Sequence, residues 1–245
     1  MREEASLDKR SSDEKPALRI HQTIARDLGT AICAGRHKPG ETFDGEIEQA
    51  EHLKVSRTAY REAVRILTAK GLLESRPKTG TRVTPRSRWN MLDPDVLAWT
   101  FAGEPQESFI RDLFELRGVI EPAASAFAAA RRSEAELEEM GDALEAMRRH
   151  GLATPEGRAA DQKFHKAVLV AARNEALASL ASSVGAAVSW TTTFKQRTRA
   201  LPRDPLPDHV AVYEAIRAKD AERAHAAMAE LLRLAMQDMT AAIPA

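Results

Sequence analysis

KVSRTAYREAVRIL, residues 54–67, sets Arg57, Arg61 and Arg65 one helical turn apart beside Tyr60, Ala63, Val64 and Leu67. At 3.6 residues per turn, the three arginines share one side of a helix and the apolar four share another. The apolar side wants a neighbouring element to pack on. The arginine side wants water or a polyanion. Ser56 is a good N-cap, so the spacing predicts a helix from there to about Lys70.

Upstream, Ile20, Ile24, Leu28, Ala31 and Ile32 recur at helical spacing, which predicts an amphipathic helix over residues 18–36. GRHKPGETF (35–43) ends it, with Gly35 at the stop and Pro39-Gly40 in a turn. A short helix is expected over residues 45–53, with Asp44 as its N-cap. Two short helices joined by a tight turn, with cations on the outer face of the second, form a helix-turn-helix. The first turn of such a helix points at base edges. Ser56, Arg57, Thr58 and Arg61 are therefore the expected readers, because a guanidinium can hold guanine O6 and N7 together. Arg65, further along, is better placed for a phosphate. In GLLESRPKTGTRVTP (71–85), Leu72-Leu73 and Arg82-Val83-Thr84 read as two strands around a Pro-Lys-Thr-Gly tip. That is a hairpin wing, with Arg76 and Lys78 suited to phosphates or the minor groove. Residues 18–85 are thus expected to be a winged-helix DNA-binding domain.

At 245 residues the chain has room for two domains. Hydrophobic residues make up 43% and aromatics 5%, which favours packed helices over a large sheet. The zero net charge hides a split: residues 1–89 hold 18 basic and 13 acidic side chains, residues 90–245 hold 18 and 23. A basic block beside an acidic remainder suggests that one end meets a polyanion. Cys33 is the single cysteine, which excludes an intrachain disulfide and suits a reducing cytoplasm. MREEASLDKRSSDEK (1–15) has no apolar core for a signal peptide, and residues 1–17 are expected to be a disordered tail. No apolar run reaches the roughly 18 residues of a membrane span.

From residue 107 to 241 the pattern is helix after helix, over 107–132, 134–150, 157–173, 175–199, 208–219 and 219–241. Residues 86–106 are expected to be a linker holding one short helix, started by Asp93-Pro94. The fold class that follows is mainly α: an N-terminal winged helix-turn-helix and a C-terminal antiparallel helical bundle. Within the bundle, Asp161 and His165 share a helix face and His209 opens another helix. A carboxylate and two imidazoles can bind a divalent transition metal such as zinc, though the same spacing also fits a structural or solvated role. Arg117 lies beside an apolar helix side and must ion-pair with Glu121, snorkel to water, or serve as a carboxylate fork. Trp190 and Lys195 are candidates to line the same cavity, core packing being equally open for Trp190. His21, His37, His52 and His150 show no partnering pattern and are expected at the surface.

These residues carry a resemblance. AICAGRHKPGETF and VSRTAYREAVRILTAKGLLESRPKTGTRV are similar to the winged helix of the GntR family of bacterial transcription regulators. FELRGVIEPAASAFAAAR (114–131), DQKFH (161–165) and DHVAVYEAIRAKDAERAHAAM (208–228) resemble the helical effector domain of its FadR subfamily, and PRSRWNMLDPDVLAW its sugar-acid, galactonate-type repressors. The resemblance implies that Arg117 faces an effector pocket and that Asp161, His165 and His209 are metal ligands. The usual third histidine falls on Leu231, with His225 too far along to replace it. Relatives also open the second helix with Glu-Arg, where this chain has Glu46-Ile47. Gln49 stands where a core leucine is usual, with Ile47 positioned to fill the gap.

The function implied is a cytoplasmic homodimer that reads two half-sites of a near-palindromic operator and represses a sugar-acid operon until an organic acid binds. Arg117, Asp161, His165, His209, Trp190 and Lys195 would hold the acid, and the segment around residues 85–94 would be the lever. A metal-dependent hydrolase on a DNA-binding anchor, or a pure metal sensor, are the alternatives. The chain offers no convincing nucleophile or catalytic carboxylate pair for the first, and Leu231 weakens the second.

Overall fold

Ser56 caps the arginine-bearing helix as its type allows: its Oγ accepts the Ala59 N–H at 3.1 Å, and helix α3 runs Arg57–Ala69. The computed structural model describes residues 10–76, 80–198 and 203–242, which fall into two units, Met1–Glu104 and Pro105–Ala245. The first unit begins with α1 (Arg10–Cys33), strand β1 (Thr42–Phe43) and α2 (Glu46–His52). After α3 come β2 (Leu73–Arg76), β3 (Gly80–Val83), a single 3-10 turn and α4 (Pro94–Ala102).

Tyr60, Ala63, Val64 and Leu67 are buried as their spacing requires, against Ile24, Ala25 and Ile32 of α1 and Ala50 of α2. Each large side chain removed from water in this way is worth about 1.5–3 kcal/mol. Gly35 and Gly40 take positive φ, as the turn after α1 demands.

Several expectations are corrected. α1 starts at Arg10, inside the stretch read as tail, because a helix anchored by Ile24 and Ile32 adds one hydrogen bond for each further residue; residues 1–9 lie outside the described part. Asp44 does not cap α2. Gly45 takes that place, Glu48 Oε2 accepts its N–H at 3.2 Å, and Asp44 accepts from Gln49 Nε2 at 3.3 Å. Ile47 fills no core gap and is 54% exposed. The wing is three-stranded, in the antiparallel order β1-β3-β2, with Leu73 opposite Val83 and Phe43 opposite Thr81.

The segment expected as a linker is built into the first unit. Lys70 Nζ at the end of α3 reaches Asp93 Oδ1 at 2.7 Å and Asp95 Oδ2 at 2.9 Å. Asp93 also caps α4 by accepting the N–H groups of Asp95 and Val96. Trp99 lies so close over Gly29 of α1 that a Cβ there would sit 2.3 Å from the ring. Gly71 is equally constrained, with φ +80° and the Arg88 carbonyl 2.1 Å from where a Cβ would stand.

The second unit contains α5 (Glu107–Arg131), α6 (Glu134–His150), α7 (Pro155–Ala171), α8 (Glu175–Ser179), α9 (Ala181–Thr198), α10 (Leu206–Arg217) and α11 (Ala221–Ala242). α5 packs on α11 and α7, and α7 on α6 and α9, around Met140, Phe164, Val168, Ile216 and Met228. Ser133 and Glu136 form a reciprocal cap on α6. Residues 175–199, expected as one helix, break at Leu180, whose N–H closes a short turn onto the Leu177 carbonyl at 3.0 Å. The helices expected to meet at residue 219 are separated there: Lys219 takes φ 59°, and α10 begins two residues early at Leu206. Among the described residues no helix is long and apolar enough to cross a membrane.

Candidate functional site

Two places carry chemistry, one in each unit. In the first, α3 presents Arg57, Thr58, Arg61 and Arg65 to solvent from the side opposite its core contacts. Arg65 Nη1 is held by Glu62 at 2.7 Å, Arg82 and Arg88 share Glu74, and Lys70 is taken up by Asp93 and Asp95. Arg57 and Arg61 have no ion-pair partner among the described residues. The first two turns of α3 thus carry two guanidinium groups not committed to a carboxylate among the described residues. The helix dipole adds partial positive charge at the same end. Ser56 lies there too, its Oγ accepting the Ala59 N–H while its O–H can still donate. Arg76 ends β2 with its side chain outside the described part, and Lys78 lies outside it altogether.

In the second unit α5, α7, α10 and α11 bring together residues distant in sequence. Asp161, His165 and His209 are all buried, and one ligand atom from each lies within 4.8 Å of the others. His209 Nδ1 donates to the Pro205 carbonyl at 2.8 Å, leaving Nε2 3.0 Å from Asp161 Oδ1. His165 Nδ1 bonds Glu121, leaving Nε2 3.5 Å from that same Asp161 oxygen. Glu121 in turn accepts the Nε–H of Arg117 at 2.6 Å. The ion-pair reading of Arg117 is thus realised, and the residue also lines the cavity.

The charges are set by these contacts. Burial alone would raise the Asp161 carboxyl, but the two imidazoles hold it far below the usual carboxylate range. Burial likewise opposes ionisation of Glu121, yet Arg117 and His165 bring it down to about 2. Burial would lower His165, but Glu121 and Asp161 push it up to about 9. Burial pushes the Lys195 ammonium down, against the pull of Asp161 and Asp238.

The cavity measures about 30 Å³, room for two or three waters at roughly 10–15 Å³ each. Lys195 lines it. Trp190 does not: the inward side of α9 is Val188, Thr191, Thr192 and Lys195, and the indole lies off that side, half-buried. Sequence spacing also missed Arg203 and Asp238, which approach each other at 3.0 Å on the wall. His37, read as unpartnered, bonds Glu41 at 2.7 Å.

Both imidazoles are tethered through Nδ1 and turn Nε2 toward one carboxylate, which is how outer hydrogen bonds orient metal-ligating histidines. These three donors fit a divalent transition metal. Leu231, 3% exposed, closes another side of the cavity with hydrocarbon, so a metal here would keep positions open for other ligands.

Residues 20–83 match the model of the gntR family of bacterial regulatory proteins, and residues 112–234 match the FCD domain. The chain is 33% identical over 207 residues to the galactonate operon transcriptional repressor of Escherichia coli (strain K12), covering 83% of this chain and 90% of that one. The chain belongs to the GntR family. It is also 31% identical over 206 residues to the HTH-type transcriptional regulator LutR of Bacillus subtilis (strain 168), covering 80% and 90% of the two. Among solved structures, Lar of Listeria monocytogenes superposes with a TM-score of 0.64 at 18% identity, over 90% of this chain and 96% of that one, a likeness of fold alone. As a GntR-family protein with an FCD domain it is a DNA-binding transcription regulator, not an enzyme.

Proposed function

We propose that this GntR-family regulator represses a sugar-acid catabolic operon and leaves its operator when an organic acid enters the FCD cavity. The observation that carries the reading is the cavity itself, where Arg117, Lys195 and Arg203 stand beside the buried Asp161, His165 and His209. An entering carboxylate would exchange with the acids that now hold these guanidinium groups, Glu121 at Arg117 and Asp208 and Asp238 at Arg203, and Thr191 and Thr192 offer partners for hydroxyls. The E. coli relative named for a galactonate operon agrees with that ligand class. A cavity of this size admits an acid only if side chains move, so the ligand stabilises a different arrangement, and differential affinity is what shifts occupancy on DNA.

On the DNA side, Ser56, Arg57, Thr58 and Arg61 read base edges, while Arg65, Arg76 and Lys78 meet phosphates. A homodimer reads a near-palindromic operator with two copies of α3. The Nδ1 tethers of His165 and His209 favour a resident metal such as zinc: Asp161, His165 and His209 would hold it, and it would supply a Lewis-acid anchor for the oxygens of a hydroxy acid.

Thermal shift of the intact protein with galactonate and related sugar acids, with and without chelator, tests this. Stabilisation by an acid, together with loss of operator binding in a gel shift, is expected. An acid effect abolished by chelation assigns the anchor to the metal, and one that survives assigns it to the side chains. No stabilisation by any sugar acid under either condition overturns the effector class.

A further inference from the structure

Arg203 stands three residues before α10, in a stretch tied to that helix's first turn. Asp204 Oδ1 accepts the Leu206 N–H at 3.0 Å, and the Pro205 carbonyl accepts from His209 Nδ1 at 2.8 Å. Arg203 Nη1 donates to Asp208 of the same turn. The cation is thereby pinned on the cavity wall, which it lines together with Lys195, Ala235 and Asp238.

What remains of the guanidinium is its side edge. The side chain as a whole is half-buried, but Nε and Nη2 are closed off from water, and neither has a hydrogen-bond acceptor among the described residues. Asp238 Oδ2 lies 3.0 Å from Nε yet out of line with its N–H, so it balances the charge without taking the hydrogen. A buried donor left without an acceptor is costly and uncommon, most of all on a cation. Nε–H and one Nη2–H run parallel, at the spacing of the two oxygens of a carboxylate. The unfilled edge is the one that grips carboxylates with two bonds.

Arg117 lines the same cavity but offers less. Its Nε–H is given to Glu121 at 2.6 Å, and Glu121 is wholly buried and also holds His165. An acid that displaced Glu121 would strand that carboxylate. The exchange at Arg203 is lighter. Asp238 gives up no hydrogen bond at Nε, and it already acts on a second cation, the Lys195 ammonium.

We infer that the Nε–Nη2 edge of Arg203 seats the carboxylate of the effector, with Asp238 turning from Nε to Lys195 as the acid enters. Arg203 then sets specificity for acids over their uncharged analogues, while Arg117 keeps Glu121 in place. The inference rests on the organic-acid reading above and names the atoms that recognise the acid.

Isothermal titration calorimetry of the full chain tests it, using aldonates, each beside its own primary amide, which keeps the hydroxyls and loses the charge. Wild type should bind at least one aldonate about 10–100-fold tighter than its amide, the usual worth of hydrogen bonds to a charged group. Arg203→Met should bring the two together by weakening the acid alone. Arg203→Lys, which keeps the charge and loses the fork, should fall between. A merely structural Arg203 would weaken acid and amide in parallel and leave their ratio intact. Circular dichroism checks folding, and if the methionine variant does not fold, the lysine variant must still narrow the ratio. A preserved ratio in a folded variant overturns the fork, as does equal binding of acid and amide by wild type. Wild type that binds no aldonate overturns the organic-acid reading, and this seat with it.

Discussion

One carboxylate oxygen of Glu121 accepts the Nε–H of Arg117 at 2.6 Å, one turn along α5, with both side chains shut away from water. Neither charge is tolerable there alone. Glu121→Ala should therefore cost about 3–5 kcal/mol, the usual result of stranding a buried partner. Replacing both residues with apolar ones of similar volume should recover much of that loss. Chemical denaturation checks both, and a near-neutral Glu121→Ala would show that Arg117 has another way to be satisfied.

His165 supplies a pH dependence. Its imidazole is pushed up to about 9 from the ordinary 6.5. A group whose proton is held more tightly in the folded state contributes stability that is complete below pH 6.5 and lost as pH climbs through 9. Chelator-treated protein should grow less stable across that window, and His165→Gln should flatten the slope. Urea melts from pH 6 to 10 give the answer, and a flat wild-type profile would remove the protonated imidazole.

Arg57 and Arg61 should behave unlike Arg65 toward DNA. With no carboxylate to release among the described residues, either Arg57→Ala or Arg61→Ala should reduce discrimination between operator and random sequence by about 1–3 kcal/mol. Arg65 is half-neutralised by Glu62 at 2.7 Å, so Arg65→Ala should weaken both duplexes alike and lower the salt slope by less than about one unit. Gel shifts over a salt series distinguish the two classes. Equal loss on both duplexes for Arg57→Ala contradicts a reading role.

Asp93 works twice, as cap of α4 and as partner of Lys70. Asp93→Ala should cost more than Lys70→Ala, by about the 1 kcal/mol of a lost N-cap. Asp93→Asn should fall between them, keeping the cap and dropping the charge. The order is read from denaturation midpoints of the full chain.

What could be read in advance follows from range. The α3 stripe, its Ser56 cap and the Asp93 cap of α4 are local patterns, and local patterns were legible. β1 was not, because two residues cannot display a period of two. The break at Leu180 carries no glycine or proline to announce it. In the cavity, Asp161 and His165 were paired by spacing, but the approach of Glu121 and of Asp238 depends on how α5 and α11 lie against α7 and α9. Trp190 drew attention as an aromatic, yet one step of 100° further along α9 puts Thr191, not the indole, on the wall.

Trp99 resting on Gly29 has a practical meaning for anyone cutting this chain. A fragment stopped at residue 85, where the hairpin pattern runs out, would strip α4 from α1. The seat of Trp89, Val96 and Trp99 would be left bare to water, inviting aggregation. A fragment carried through Glu104 brings its own cover, and it is the shortest piece whose behaviour on DNA can be credited to the recognition helix rather than to an exposed wound.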